Sequence, residues 1–360
     1  MEQTNVYIAA MESIFPCSYD AVYFADKVYP KEVFGEKTNK LAKRLATSFG
    51  VSHRPSVLNF EAYPEVIIQN ENDHPRNWGT TIVDKLTQNI KKEEIGMLKV
   101  SYNASYHTDI LPNLACQIAL DADLKDLDAT EELPYYGCAA GIYSLSDAIE
   151  YCKYFNRPAI VFVFDQCTVK MAPLSPSDED FSKTLVSNLL FNDGGIGLLV
   201  IPERMKKRFN NPLIKVDDVI KYHKPGGLIK MTDGKFMMDT NLKDVIPKLV
   251  SEKLIKPFLK KNKITQDEID EWSIHQGGSK ILKQFMRHDH INLTEEKIKP
   301  SLDAFYKYGN TSAPSCLYVL ESFFKKKRTK LEDKKKGILV GFGAGYYLAA
   351  MLYQWEINHL

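Results

Sequence analysis

Residues 159–165 restrict the possible fold more than any other part of the sequence. The run reads AIVFVFD and stays apolar without alternation up to its final aspartate. Runs of this kind are typical of a strand that is buried on both faces of a sheet. Helix-like segments such as residues 18–28 and 37–49 alternate with strand-like ones such as residues 97–101. The pattern predicts a layered α/β protein.

Two further patterns locate elements in the second half of the chain. Residues 242–261 have the apolar spacing of a long helix, which Pro247 and Pro257 would bend or interrupt. Residues 265–268, TQDE, form a capping-box start, and the strand-like residues 271–274 follow them. Both halves of the chain thus show helix, strand and a small-residue turn, which suggests an internal duplication.

Length and composition limit the classes of protein that the chain can belong to. A chain of 360 residues suits two domains, and we expect halves at residues 1–200 and 201–360. The formal net charge of +1 argues against a nucleic-acid or membrane-surface binder. The six cysteines form no CxxC pair, as in a reduced intracellular protein. The N-terminus lacks a basic start, and the C-terminal apolar run is shorter than the roughly 18 residues of a membrane span, so we expect a cytoplasmic protein.

Cys138 is the first candidate for chemistry. It lies between Gly137 and Ala139, and a helical pattern begins directly after it. Unpaired backbone N–H groups and the positive end of the helix dipole would stabilise a thiolate there. A small buried thiol that fills space is the structural alternative, because free cysteine is often fully buried.

Three distant segments are further candidates. His275, in WSIHQGG, follows a strand and precedes two glycines that leave room for a ligand, although a lone histidine is more often a core or surface residue. Asn310, in YGNTSAPS, could equally belong to a turn or helix cap. The glycines of residues 341–345, GFGAG, would let backbone N–H groups approach a substrate oxygen. A dinucleotide site is excluded there because no βαβ unit follows.

These four segments, in this order and with this wide spacing, resemble the condensing enzymes of the thiolase fold. The branch is that of β-ketoacyl-ACP synthase III and the type III polyketide synthases. Residues 191–195, FNDGG, look like the family's Phe-Gly-Asp-Gly-Ala turn. GNTSAPS is close to the asparagine motif of synthase III, whereas HQGG and GCAAG are closer to type III polyketide synthases. The resemblance implies an α/β thiolase fold with a duplicated, five-layered α-β-α-β-α architecture.

The resemblance also implies a role for each candidate residue. Cys138 would accept an acyl group from a thioester, and His275 and Asn310 would donate hydrogen bonds to the thioester oxygen of a malonyl or β-ketoacyl extender. The backbone N–H groups of Cys138 and Gly343 would form the oxyanion hole. The implied enzyme is an acyltransferase that performs a decarboxylative Claisen condensation, in specialised polyketide or fatty-acid-derived metabolite biosynthesis.

The implied substrates are acyl-CoA or acyl carrier protein thioesters, and no metal or redox cofactor is expected. Members of the family are dimers, so we expect a homodimer or a heterodimer with a related subunit, and no nucleic-acid or membrane partner. Two alternatives remain open: acyl transfer or thioester hydrolysis through the same acyl-cysteine, and a non-catalytic partner subunit of a ketosynthase pair. A Cys/His protease would leave the asparagine and glycine motifs unexplained.

Other polar and aromatic features have simpler interpretations. His288 and His290 resemble a metal pair but lack a third ligand, so a solvated loop is expected. The lysine-rich residues 325–336 would be an exposed linker or an attractor for an acidic carrier protein or CoA phosphates. Large aromatic residues lie beside the nucleophile and the glycine turn, where they would pack in the core or narrow the pocket: Tyr135, Tyr136, Tyr346 and Tyr347.

Overall fold

A computed structural model of the protein describes residues 4–107, 109–232, 235–239, 241–329 and 332–357. Residues 330 and 331 of the lysine-rich run lie outside these ranges. Within them, no helix is long and apolar enough to cross a membrane.

Strands and helices alternate along the chain as the sequence predicts. The strands are β1 (Val6–Ile14), β2 (Ser18–Asp20), β3 (His53–Pro55), β4 (Met97–Ser101), β5 (Ala129–Glu132), β6 (Ala159–Gln166), β7 (Asp193–Pro202), β8 (Leu213–His223), β9 (Ile229–Thr232), β10 (Lys235–Met238), β11 (Glu271–Ile274), β12 (Lys336–Phe342) and β13 (Tyr347–Glu356). The α-helices are α1 (Ala21–Val28), α2 (Lys31–Ser48), α3 (Pro75–Leu86), α4 (Leu114–Asp121), α5 (Ala140–Phe155), α6 (Phe181–Leu190), α7 (Leu242–Leu249), α8 (Lys256–Lys261), α9 (Ser279–Gln284), α10 (Glu295–Tyr308) and α11 (Ser315–Phe324).

The main sheet shows a repeated strand order that the residue identities do not reveal. It has nine strands in the order β11-β12-β13-β8-β1-β7-β6-β4-β5. From β1 outwards, β7 and β6 pair antiparallel in succession, and β4 is parallel to β6. From β8 outwards, β13 and β12 pair antiparallel, and β11 is parallel to β12. The two halves therefore share one topology, and they join where β1 pairs with β8.

Three buried clusters divide the molecule into five layers. One face of β6 contributes Ile160, Phe162 and Phe164 to a cluster with helices α1 to α4, whereas Val161 and Val163 point into a second cluster. That second cluster holds α5 and α11 between the two halves of the sheet. A third cluster packs α7 to α10 against the outer face of β11 to β13. The fold is thus α-β-α-β-α, and the prediction that residues 159–165 are buried on both faces is confirmed.

The predicted helix boundaries differ most from the observed ones where a capping side chain starts the helix. Residues 18–28 are not one helix, because Ser18–Asp20 pairs with β3. The carboxylate of Asp20 then accepts hydrogen bonds from the N–H groups of Val22 and Tyr23 and starts α1. In the second half, the predicted bent helix is confirmed, since a π-helical stretch, Val250–Ile255, separates α7 from α8.

Arg328 corrects the expectation of a wholly exposed lysine-rich linker. Its side chain is 1% exposed and its Nη2 lies 2.7 Å from Oε1 of Glu271. The guanidinium also stacks over the ring of Trp355, 3.4 Å from its centroid. The other carboxylate oxygen of Glu271 accepts from Trp355 Nε1 at 2.8 Å. A buried charge with these partners anchors the segment before β12 to the sheet.

Removing Arg328 from the Arg328–Glu271 pair leaves an uncompensated buried charge. We expect Arg328→Ala to lower the free energy of unfolding by about 3–5 kcal/mol. The matched control is Lys299→Ala, which breaks the exposed Lys299–Asp303 pair and should cost less than about 1 kcal/mol. Urea unfolding of both variants checks this. Equal losses in the two variants would contradict a buried anchoring role for Arg328.

Candidate active site

The predicted position of Cys138 at a helix start is confirmed. The residues Gly137–Ala139 form a 3₁₀ turn that runs directly into α5, and the side chain of Cys138 is buried. Gly137 has a φ of 58°, which suits glycine, and a Cβ there would lie 2.4 Å from the backbone nitrogen of Ala344. Only glycine therefore lets the turn approach the glycine segment so closely.

His275 lies at the end of β11, as the sequence predicts. Its N–H donates to Val340 O at 2.9 Å and so extends the parallel pairing with β12 by one residue. The ring is buried and meets the edge of Phe342, with centroids 5.0 Å apart. Its Nδ1 has no hydrogen-bond partner among the described residues. A Cβ on Gly277 would lie 3.7 Å from Nε2, so the glycines after His275 do leave space beside the ring.

The segment of Asn310 is fastened to the FNDGG turn. Asn192 N–H donates to Asn310 O at 2.8 Å, and Asn192 Nδ2 donates to Tyr308 O at 2.7 Å. The Oδ1 of Asn310 accepts from the N–H of Ser312 at 2.9 Å. Because that oxygen is occupied, the amide presents Nδ2 as its remaining donor. The two motifs therefore fix both the position and the orientation of the Asn310 amide.

The three candidate residues meet although they are far apart in sequence. Cys138, His275 and Asn310 line one cavity of about 20 Å³ together with Gly343. A space of that size holds about one water molecule. This cavity therefore excludes nearly all water. The helix start, the strand end and both loop motifs border it.

Gly343 has a different role from the one predicted. Its N–H donates to Tyr347 O at 3.0 Å, so it is not available for an oxyanion hole. A Cβ at Gly343 would instead lie 2.2 Å from the backbone nitrogen of Cys138. What the position requires is the absence of a side chain, because two backbone segments touch there. This contact corrects the sequence prediction for Gly343.

Burial acts on the two ionisable groups in opposite directions. It raises the pKa of the Cys138 thiol, a shift that the nearby hydroxyl of Ser312 reduces. It lowers the pKa of His275 to about 3. Both shifts favour the neutral forms, since a charge in a dry site loses its hydration. Burial thus opposes the thiolate that the helix start was expected to favour, and other groups must compensate.

Cys138 also lines a larger cavity of about 290 Å³. Apolar or weakly polar side chains form much of its wall, among them Cys167, Ile229, Met231 and Phe236. Tyr135 borders it and is 71% exposed, so this tyrosine is not a core residue. Tyr136 and Tyr347, by contrast, pack together with centroids 4.5 Å apart. Cys138 therefore borders both the small cavity and the larger one, and apolar side chains form most of the wall of each.

Three residues near the nucleophile were not recognised in the sequence. Ser312 Oγ lies 3.5 Å from Cys138 Sγ. Asn103 follows β4, and its side chain bonds both backbone groups of Gly137. Asp165 ends the apolar run of β6 and accepts hydrogen bonds from Asn103, Ala104 and Ala313. Only the polar end of an apolar strand, at Asp165, was a usable signal for these contacts.

The histidine pair does not form a metal site within the described ranges, where no group of three or more His, Cys, Asp or Glu side chains is arranged to hold an ion. His290 is buried and its Nδ1 lies 2.7 Å from Gln284 O, which corrects the expectation of a solvated loop for this residue. His288 is exposed.

Comparison with known proteins agrees with the fold. Residues 259–355 match the 3-Oxoacyl-[acyl-carrier-protein (ACP)] synthase III C terminal family. A putative chalcone synthase of Bacillus subtilis is 26% identical over 242 residues, 63% of this chain and 63% of its own length. Type III polyketide synthase B of Arabidopsis thaliana is 25% identical over 327 residues, covering 87% of this chain and 78% of the relative.

Solved structures show the same fold. The 1,3,6,8-tetrahydroxynaphthalene synthase of Streptomyces coelicolor, a bacterial type III polyketide synthase, superposes with a TM-score of 0.78 at 18% identity, over 98% of this chain and 100% of that one. The fold is therefore the thiolase fold. The sequence matches make the chain similar to type III polyketide synthases over as much as 87% of its length.

The contact of Gly343 with the nucleophile turn can be tested by adding one methyl group. We expect Gly343→Ala to lower the free energy of unfolding by about 1–3 kcal/mol, because the methyl would meet backbone and not a flexible side chain. Alkylation of Cys138, followed by peptide mass spectrometry, should change in rate because the turn must move. Gly227→Ala is the control, since a Cβ there meets nothing within 4 Å. Equal behaviour of the two variants would exclude the close contact.

Proposed function

We propose that the protein is a ketosynthase that joins an acyl thioester to a malonyl or β-ketoacyl thioester by decarboxylative Claisen condensation. The observation that carries the proposal is the shared cavity of Cys138, His275 and Asn310. A nucleophile and two hydrogen-bond donors around one dry space suit a reaction that first stores an acyl group and then stabilises an enolate.

In the first step, the sulfur of Cys138 attacks the thioester carbonyl carbon. The carbon–sulfur bond of the donor breaks, and the proton of the Cys138 thiol leaves with the departing thiol. The N–H of Cys138 would support the tetrahedral oxyanion. Ala344 would supply the second donor in place of Gly343, because it begins a 3₁₀ turn, where N–H groups have no helical partner, and it borders the larger cavity.

In the second step, the extender loses carbon dioxide and becomes an enolate. A neutral His275 is a suitable donor to its oxygen, and the lack of a described partner at Nδ1 leaves the proton free to reside on Nε2. Asn310 Nδ2 would be the second donor. The enolate carbon then attacks the acyl carbonyl, and the Cys138 sulfur leaves and regains a proton. The reaction balances without a metal or redox cofactor.

The cavities suggest where the substrates lie. The apolar walls of the larger cavity suit the acyl group that Cys138 carries. On the histidine side, a third cavity of about 310 Å³ shares Met238, Leu242, Gly277 and Ile281 with the small one. Exposed Lys243 and Lys280 border this third cavity. Their charges suit the phosphates of coenzyme A or an acidic carrier protein. We propose a cytoplasmic location, in which such thioesters are present.

The proposal is tested by incubating the protein with acyl thioesters and malonyl-CoA. The mass of the Cys138 peptide and the release of carbon dioxide are then measured. We expect an acyl adduct on the Cys138 peptide, and carbon dioxide release that falls ~10²-fold or more in His275→Ala and in Asn310→Ala. Cys138→Ala should form no adduct. Cys17→Ala changes an exposed cysteine and should leave both readouts intact.

Three results would count against condensation. Acylation without carbon dioxide release would indicate acyl transfer, and release of free acid would indicate thioester hydrolysis. Absence of any adduct with CoA and carrier-protein donors would indicate a non-catalytic partner subunit.

We further propose that the protein works as a homodimer. Strand β5 ends the main sheet, and large apolar side chains lie on the surface, including Ile110 and Leu111, which are 76% and 87% exposed. A second copy of the chain would pair with the free edge of β5 and would bury the exposed apolar side chains. Light scattering of the purified chain should give twice the mass of 41.1 kDa. A monomer at micromolar concentration would overturn the proposal.

A further inference from the structure

The hydroxyl of Ser312 is in hydrogen-bonding reach of the Cys138 sulfur. Ser312 is buried, and its Oγ lies 3.5 Å from Sγ of Cys138. Its backbone has a φ of 62° and its N–H is held by Asn310 Oδ1 at 2.9 Å. The backbone of Ser312 is therefore held in a conformation that residues other than glycine rarely adopt.

Asn103 determines which way that hydroxyl points. Its Oδ1 accepts from Gly137 N–H at 2.8 Å, while its Nδ2 lies 2.9 Å from Asp165 Oδ2 and 3.1 Å from Gly137 O. A flipped amide would set oxygen against the carboxylate and N–H against N–H, so the orientation is unambiguous. The same Nδ2 lies 3.4 Å from Ser312 Oγ. The two hydrogens of Nδ2 face three acceptors, of which Ser312 Oγ is the farthest. Because an amide nitrogen only donates, Ser312 can only accept in this shared contact, which leaves its own hydrogen for the sulfur.

We propose that Ser312 donates a hydrogen bond to the Cys138 thiolate, and that Asn103, held by Asp165, is the positioning residue that orients it. The pair stabilises the thiolate in a site where burial opposes it. No proton leaves Ser312; the thiol proton goes to solvent or to the departing thiol. The inference rests on Cys138 being the nucleophile of the proposed function, but it concerns the reactivity of the sulfur and not the identity of the substrate.

The test is the pH profile of Cys138 alkylation by iodoacetamide, followed by mass spectrometry of the Cys138 peptide. Without the hydroxyl, we expect the apparent pKa of alkylation to rise by about one unit or more, the shift typical of a lost hydrogen bond to a charge. Ser312→Ala and Ser312→Gly should both show this rise. Glycine relieves the positive φ whereas alanine does not, so a change in alanine alone would assign the effect to backbone strain and overturn the proposal.

A double substitution separates positioning from support of the turn. If Asn103 acts through Ser312, then Asn103→Ala raises the apparent pKa by itself but adds nothing to Ser312→Ala. Additive shifts would overturn the positioning role, and an unchanged profile in Ser312→Ala would overturn the hydrogen bond itself. Ser322→Ala, on the far end of α11, bonds only Val319 O and should match the wild-type profile.

The alkylation measurement needs no thioester, so the two proposals fail separately. A shifted profile without acyl transfer would keep the Ser312 contact and reject the ketosynthase function. Acyl transfer with an unshifted profile would keep the role of Cys138 in the proposed function and reject the Ser312 hydrogen bond.

Discussion

The buried carboxylate of Asp165 holds together the segments that surround Cys138. It accepts N–H groups from the backbone of Asn103, Ala104 and Ala313 and from the side chain of Asn103. These donors come from the loop after β4 and from the segment before α11, which belong to different halves of the fold. A carboxylate buried without them would be very costly. The hydrogen bonds to Asp165 therefore fix the positions of the two segments that pack beside Cys138.

Close contacts between backbone segments also hold the two halves of the fold together near Cys138. The nucleophile turn at Gly137 and Cys138 touches Gly343 and Ala344 so closely that a Cβ on either glycine would meet a backbone nitrogen. Farther along α5, a Cβ on Gly141 would lie 3.1 Å from Ala313 O. The small residues of GCAAG and GFGAG thus serve the same purpose, which is to let the two halves meet at the reacting sulfur.

Patterns in the sequence predicted the layers and the place of Cys138 at a helix start, because each depends on local spacing. The apolar run of β6, the helix start after Cys138 and the strand end before His275 are visible in a few consecutive residues. The repeated strand order is not, since pairing partners lie far apart in the chain. Ser312 and Gly343 were misjudged or missed for a similar reason: their roles depend on which atoms of other segments occupy the space beside them.

The small volume of the cavity shared by the three candidate residues bears on which reaction could follow the proposed acylation. An acyl-cysteine can be attacked by water or by an enolate, and only the second attack builds a carbon chain. The cavity beside Cys138, His275 and Asn310 has room for about one water, so a bound extender would displace it. The same exclusion of water raises the energy of the thiolate. If Cys138 acts as proposed, a hydrogen-bond donor at its sulfur offsets this cost, because burial both protects the acyl intermediate and disfavours the thiolate.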